Sequence, residues 1–168
     1  MTLGSINGRV AWIFRDDNFD VDQIIGVENI KITDVEELVG CVMKHLDPEL
    51  TKMVQLGDVL VGAGNFGYGH PHYPAMRVMR HLGIRALIAE SFSPGFWRGE
   101  ISMGFPLITC PGILGAVSRW DTLSIDWESE VVANVTTGMR LPFVPHDPAD
   151  HSMLVQGGLI GYLKHRLR

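Results

Sequence analysis

The sequence is poor in cysteine, and this limits the kinds of site that the chain builds alone. Its 168 residues include two cysteines, Cys41 and Cys110. Two are too few for a disulfide framework or for a metal cluster held by this chain. Both lie among apolar neighbours, where a cysteine usually serves as a small buried hydrophobic residue. We therefore expect both to be packing residues.

Basic charge and long apolar runs are also scarce. The chain has 14 Lys and Arg against 19 Asp and Glu, a net charge of −5, which argues against nucleic-acid binding because that requires a basic patch. No apolar run reaches the ~18 residues of a membrane span. Residues 1–7 lack the basic and apolar regions of a signal peptide. We expect one cytoplasmic domain over residues 1–168, without nucleic-acid or membrane partners.

Glycine is abundant in one place, a loop that follows an apolar run at residues 59–63. The run predicts a strand, and apolar residues at helical spacing predict a helix that Pro74 opens. Backbone N–H groups and the positive end of the helix dipole would then meet at residues 70–73, where they favour an anion. The loop glycines would let the backbone approach a ligand closely. They are Gly62, Gly64, Gly67 and Gly69.

Alternating strand and helix signals surround this loop. Strands are predicted at residues 9–14, 85–90 and 106–110, and helices at residues 34–45, 47–56 and from Ser93-Pro94 to Gly104. Asp34 and Glu37 have the spacing of a capping box at the first of these helices. Repeated strand–helix–strand units predict an α/β fold with parallel strands. In such folds the site lies outside the carboxyl ends of the strands.

The pattern changes after Asp121. Residues 123–127 alternate between apolar and polar, and residues 131–135 can pair back with them, which predicts an antiparallel hairpin. Residues 142–148 are expected to be irregular. A helix is predicted at residues 150–166, interrupted by Gly157-Gly158.

Six stretches, in order along the chain, resemble one family. They are DVDQII (20–25), GDVLVGAGNFGYG (57–69), LGIRALIAESFSPGFWR (82–98), GFPLI (104–108), NVTTG (134–138) and LVQGGLIGYLK (154–164). Together they resemble the small subunit of 3-isopropylmalate dehydratase, which is equivalent to the C-terminal swivelling domain of aconitase. The resemblance covers nearly the whole chain and implies a swivelling β/β/α domain.

The resemblance also implies a function in two subunits. The enzyme would be a hydro-lyase that adds or removes water on a 2- or 3-hydroxy-dicarboxylate, and this chain would be active only with a large subunit. The partner would carry a 4Fe-4S cluster on its own cysteines, so this chain is expected to bind no cofactor or metal alone. Without its partner the chain could self-associate into a homo-oligomer.

The sequence departs from the family at the glycine loop. The family usually continues Gly-Ser-Ser-Arg-Glu-His, whereas this chain has Gly69-His70-Pro71-His72-Tyr73-Pro74. His70 stands at the position of the family's catalytic serine, and His72 at that of its substrate-binding arginine. Histidine is an ordinary general base at neutral pH. We predict that His70 is the base, that His72 binds a carboxylate, and that the substrate differs from isopropylmalate.

Further contacts to substrate are predicted from the same loop and from one other. Gly67, Tyr68, Gly69 and Tyr73 flank the two histidines. In the family the loop after the DQII stretch reaches toward substrate, and here it carries Ile30 and Lys31. Asp20 and Asp22 are expected to shape the acidic loop by capping and local bonds rather than to act as catalysts.

Two alternatives stay open at the level of sequence. Loss of both the serine and the arginine would also suit a catalytically inactive regulatory or scaffolding subunit. His70 and His72 could instead bind a metal, joined by a further ligand from His146, Asp147 or His151.

Overall fold

Seven strands form one sheet in the computed structural model, which describes residues 3–167. In chain order they are β1 (Ile6–Phe14), β2 (Val59–Gly62), β3 (Ala86–Ala89), β4 (Leu107–Thr109), β5 (Thr122–Asp126), β6 (Val131–Asn134) and β7 (Arg140–Pro142). Their order across the sheet is β4-β3-β2-β1-β5-β6-β7. The first four strands of that order are parallel. The remaining pairings are antiparallel.

Strand β1 belongs to both halves of the sheet. Its first residues, from Ile6 to Arg9, pair with β5, and the later ones, from Val10 to Phe14, pair with β2. The register with β2 shifts between Val10 and Trp12. Such an irregularity bends a strand and increases its twist. The sheet therefore changes partners and curls along one strand.

Helices connect the parallel strands and close the chain. They are α1 (Val35–Val39), α2 (Leu50–Met53), α3 (Tyr73–His81), α4 (Pro94–Ser102), α5 (Ile113–Ala116), α6 (Pro148–Val155) and α7 (Leu159–Arg166), with 3₁₀ turns at Val21–Ile24 and Val27–Asn29. Helix α3 links β2 to β3, and α4 links β3 to β4. Among residues 3–167, no helix has the length and apolar character needed to cross a membrane.

Each face of the sheet carries its own hydrophobic core, because successive strand residues point to opposite faces. Leu60, Leu87 and Leu107 pack with α3 and α4 in one core. Their neighbours Val61 and Ile88 belong to the other, with α5 and the antiparallel strands. Burial on both faces directs ligands to the strand ends, as in other parallel sheets.

The predicted class is confirmed, including the parallel core, the C-terminal hairpin and the interruption of the C-terminal helix, which the structure divides into α6 and α7. The first helix was predicted too long. Asp34 caps it through a bond from the Glu37 N–H, at 3.0 Å. It ends at Val39 because Gly40 follows, and Met43 has a φ of +56° that interrupts helical backbone.

Other differences concern short elements. Strand β7 and helix α5 have three and four residues, too few to show a periodic pattern. Strand β1 was predicted to begin at Arg9, because Asn7 and Gly8 have low strand propensity. In the structure it begins at Ile6, since both residues pair with β5. Cys110 is buried as expected, whereas Cys41 is half-buried.

Candidate active site

The loops that follow β1, β2 and β3 are joined by backbone hydrogen bonds at the carboxyl edge of the parallel strands. The Gly64 N–H donates to Asp17 Oδ1 at 2.7 Å. The Gly67 N–H donates to the Phe19 carbonyl at 2.9 Å, and the Phe66 N–H to the Ser91 carbonyl at 3.0 Å. The first part of the glycine loop, residues 62–67, is thereby fixed. We call it the loop base.

Phenylalanine rings fill the space beside the glycines of the loop base. A Cβ on Gly62 would lie 2.5 Å from the Phe66 ring, and one on Gly67 would lie 2.2 Å from Phe96 Cγ. The two rings are 5.7 Å apart, and Phe66 is fully buried. These two glycines therefore make room for packing, whereas the sequence suggested room for a ligand. The Gly67 N–H is also occupied by Phe19.

The second part of the loop, residues 68–73, is exposed throughout and is called the loop tip. Tyr68 and Tyr73 each have 56% of their surface exposed. The Tyr73 hydroxyl donates to the sulfur of Met103, the residue that follows α4. The His70 side chain is exposed and has no hydrogen bond with residues 3–167. The loop tip is therefore the part of the loop that a ligand can reach.

His72 differs from His70 because a buried carboxylate holds it. Asp22, at 4% exposure, accepts the His72 backbone N–H at 2.8 Å through Oδ1. Its other oxygen, Oδ2, lies 2.6 Å from His72 Nδ1. Asp20 holds Asp22 in turn, because its Oδ1 accepts the Asp22 N–H at 2.9 Å. The carboxylate thus lies at the start of α3, where the sequence predicted an anion.

An ionised carboxylate only accepts hydrogen bonds, so Nδ1 of His72 carries a proton and donates a hydrogen bond to Asp22 Oδ2. The opposite ring nitrogen, Nε2, is on the side away from Asp22, and 47% of the His72 side chain is exposed. In its neutral form this imidazole presents a lone pair outward from a fixed position. That is the arrangement of a general base or of a hydrogen-bond acceptor for a ligand.

The role of Asp22 was missed by sequence reasoning, which assigned it to loop shaping. Asp20 does cap the 3₁₀ turn Val21–Ile24 as expected. A signal for Asp22 existed, because its neighbours Val21 and Ile24 are apolar, and an acid on a buried turn requires a partner. The partner is 50 positions away along the chain, beyond the reach of local patterns.

A cleft of about 180 Å³ extends from His72 between α3 and α4. It is lined mainly by apolar groups, among them Met76, Phe96 and Met103. Its carboxyl group, Glu100, is paired with Arg80. Burial raises the pKa of Glu100, while Arg80 acts in the opposite direction.

The loop after the DQII stretch lies beside α3. The Arg77 guanidinium on α3 donates to the Thr33 carbonyl at 2.6 Å. Ile30 is half-buried and packs against the core, and Lys31 is exposed. Of these two predicted specificity residues, only Lys31 is exposed.

Two of the predicted metal ligands of the C-terminal region, His146 and Asp147, serve other contacts. His146 donates from Nε2 to the Leu107 carbonyl at 2.7 Å and stacks on Trp97 at 5.1 Å. Asp147 caps α6 through a bond from the Asp150 N–H. Within residues 3–167, no group of three or more His, Cys, Asp or Glu side chains is arranged to hold a metal ion. The metal-binding alternative thus has no ligand set in this part of the chain.

Comparison with known proteins places this chain in a family. No protein-family model matches the chain. The isopropylmalate/citramalate isomerase small subunit of Methanocaldococcus jannaschii is 38% identical over 162 residues, which are 96% of this chain and 95% of that protein. This chain belongs to the 3-isopropylmalate dehydratase small-subunit family.

Further relatives of the family agree. A 3-isopropylmalate dehydratase small subunit of Methanopyrus kandleri is 36% identical, covering 95% of this chain and 92% of that protein. The crystal structure of 3-isopropylmalate dehydratase from Methanocaldococcus jannaschii matches with a TM-score of 0.84 at 30% identity, covering 98% of this chain and 96% of that one. The predicted family, fold and enzyme class, a hydro-lyase small subunit, are confirmed.

Proposed function

We propose that this chain is the small subunit of a two-subunit hydro-lyase that acts on a hydroxy-dicarboxylate other than 3-isopropylmalate. The observation that carries the proposal is the His-Pro-His sequence on the exposed loop tip. The family usually has serine at the position of His70 and arginine at the position of His72. Its scaffold is therefore retained, while the groups that meet the substrate are changed.

The presence of His72 where the family usually has arginine supports a change of substrate. Arginine grips a carboxylate through two parallel N–H bonds, whereas an imidazole offers one N–H per ring edge. The printed names of relatives include an isopropylmalate/citramalate isomerase and a methanogen homoaconitase. One scaffold thus serves acids of different shape in proteins of this family.

The proposal includes a large subunit that holds a 4Fe-4S cluster. A cluster that keeps one iron open for the substrate is held by three thiolates, more than the two cysteines of this chain. Cys110 is unsuited as a ligand because burial raises its thiol pKa to about 11. When bound in the partner, the cluster would supply a Lewis acid for the hydroxyl group. The exposed loop tip faces outward from this chain, where a partner can meet it.

This chain supplies the groups that bind and orient the substrate and that move its proton. The imidazoles of His70 and His72 are the proton-transfer candidates. The hydroxyl groups of Tyr68 and Tyr73 and the backbone of Gly69 can donate or accept hydrogen bonds beside them. In this proposal Lys31 meets a distal carboxylate as a point charge, and Ile30 contacts an apolar substituent.

The test is reconstitution with the partner. This chain is co-expressed with the large dehydratase subunit of the same organism, and iron and sulfide are restored without oxygen. The absorbance of the unsaturated product is then followed over a panel of 2-hydroxy- and 3-hydroxy-dicarboxylates. Preferred turnover of an acid other than 3-isopropylmalate supports the proposal. Preference for 3-isopropylmalate overturns the proposed change of substrate.

A loop variant provides the matched control. Replacing His70→Ser, Pro71→Ser and His72→Arg restores the usual residues of the family on an unchanged scaffold. We expect this variant to assemble with the large subunit. Its kcat/KM for the acid that the natural chain prefers should fall at least tenfold. If the complex with the natural chain is stable but inert on every acid, the result would instead favour a regulatory subunit.

A further inference from the structure

The two histidines of the loop tip differ in how they are held. His72 has two bonds to one carboxylate, from its backbone N–H at 2.8 Å and from its ring at 2.6 Å. His70 has no side-chain hydrogen bond with residues 3–167. Proton transfer is efficient when the transferring group is held in a productive position and tautomer. Among residues 3–167, a carboxylate holds the His72 imidazole in this way and none holds that of His70.

We propose that His72, rather than His70, exchanges the substrate proton, and that Asp22 is the positioning residue that makes it a base. The proposal rests on the hydro-lyase function proposed above and reverses the roles predicted from the sequence. His70 then contacts the substrate without removing its proton.

Asp22 acts by choosing the tautomer. Both of its oxygens face donors of His72, one on the backbone and one on the ring. The proton of the neutral imidazole is therefore kept on Nδ1, and the lone pair is kept on Nε2. Because Asp22 is buried and held by Asp20, the ring direction is set by the interior of the domain.

No other carboxylate of the adjoining cleft competes for this role. Glu100 lines the same cleft, but its carboxylate is bound by Arg80. Asp20 accepts a backbone N–H through Oδ1 at the cap of the 3₁₀ turn. His72 is thus the ionisable group at the mouth of the cleft that combines an outward lone pair with a buried partner.

The proton step balances without an oxidant or a reductant. The Nε2 lone pair of His72 forms a bond to the proton on the carbon next to a carboxylate. The C–H bonding pair becomes the second bond of the alkene, and the hydroxyl on the neighbouring carbon leaves with the C–O bonding pair. The proton on Nε2 and the departing hydroxide together equal the water released. Hydration is the same step reversed.

The first test needs neither partner nor activity. Side-chain ¹⁵N–¹H correlation spectra of the isolated chain, at a pH where His72 is neutral, report which ring nitrogen carries the proton. We expect the Nδ1–H form for the natural chain. In Asp22→Asn one oxygen is replaced by an amide donor. Because the His72 backbone N–H can only donate, the remaining oxygen faces it, the amide NH₂ faces Nδ1, and the ring proton moves to Nε2.

The matched control is Asp34→Asn, which makes the same change at the cap of α1 and touches no histidine. It should leave the His72 tautomer unchanged. Backbone amide spectra and the melting temperature show whether each variant is folded. An Nε2–H form in the folded natural chain, or a folded Asp22→Asn variant that keeps the Nδ1–H form, would overturn the assignment.

The second test uses the assembled enzyme on its preferred acid. General acid–base catalysis contributes about 10²–10⁴-fold, so His72→Gln and Asp22→Asn should each lower kcat at least 100-fold, with KM changed less than fivefold. His70→Ala should mainly raise KM. Loss of turnover in His70→Ala together with normal turnover in His72→Gln would restore the roles predicted from the sequence.

The two tests separate the two proposals. If the natural complex is inert on every acid while the Asp22→Asn spectra show the tautomer change, the hydro-lyase proposal fails and the positioning by Asp22 stands. If the complex is active and the tautomer does not depend on Asp22, the hydro-lyase proposal stands and the positioning role is wrong.

Discussion

The loop base and the loop tip are adjacent in sequence and differ in almost every physical property. Four of residues 62–67 are buried (Gly62, Ala63, Phe66 and Gly67), and this segment forms hydrogen bonds to two neighbouring loops. Residues 68–73 are all exposed. In the sequence they form one glycine-rich stretch. In the structure the loop base anchors the loop to the domain, and the loop tip exposes the two histidines to solvent.

The difference shows that glycine has two structural roles within one loop. In the loop base, glycine is required because aromatic rings occupy the place of a side chain. In the loop tip, the φ of Gly69 is +94°, and the nearest atom to an added Cβ is Asp20 Oδ2 at 3.6 Å. Stability should therefore depend on the base, and chemistry on the tip.

The largest expected effect is on stability and comes from Gly67→Ala. The φ of Gly67 is +83°, and its Cβ would lie 2.2 Å from Phe96. Left-handed backbone costs an L-residue about 1–2 kcal/mol, and overpacking costs about 1–3 kcal/mol more. We expect a loss of about 2–5 kcal/mol in the free energy of unfolding, measured by urea denaturation.

Gly69→Ala is the matched control, since it has a similar φ without the clash. Its loss should be limited to about 1–2 kcal/mol. Equal losses for the two variants would show that the loop base and the loop tip are equally packed, and the comparison would fail.

A smaller effect concerns a half-buried histidine outside the loop. Burial lowers the pKa of His146 from its usual 6.5. The unfolded state therefore binds more protons between the lowered pKa and about pH 6.5, so the free energy of unfolding should fall as the pH falls through this range. The slope due to one group is at most about 1.4 kcal/mol per pH unit.

His146→Gln removes this titration while leaving an amide that can donate to the Leu107 carbonyl. Urea denaturation at pH 8, 6 and 5 should show a stability difference between natural chain and variant that shrinks as the pH falls. A constant difference would show that His146 does not resist protonation in the folded state.

The smallest effect is on thiol reactivity. Because burial raises the pKa of Cys110 to about 11, almost no thiolate exists at pH 7.5, and the side chain is inaccessible. Iodoacetamide should label Cys110 only in denaturant, whereas half-buried Cys41 should react faster. Peptide mass spectrometry measures both rates. Rapid labelling of Cys110 in the folded chain would contradict the closed core on this face.

Much of the fold was available from sequence patterns because its signals are local. The strand–loop–helix order around residues 59–82, the Asp34 cap and the hairpin after Asp121 were all predicted and are confirmed. The short strand β7 was not, since three residues that pair at a sheet edge leave no periodic trace.

The candidate site was predicted in part. The loop tip and its two histidines were located, because a glycine-rich turn between a strand and a helix can be identified from composition and spacing. The difference between them was not, since both are exposed histidines on one loop. The two histidines differ because Asp22 holds His72 and not His70. From the sequence, Asp22 was expected only to shape the acidic loop after β1.

The sequence by itself determined the α/β class, the family and the position of the exposed histidines, because periodicity, turn residues and ordered motifs are written along the chain. Only the tertiary structure decided which glycines pack against rings and which histidine is held. Those contacts join the loops after β1 and β2, which the parallel pairing of the two strands brings together. A 2.6 Å contact between positions 22 and 72 depends on that pairing, and no local pattern encodes it.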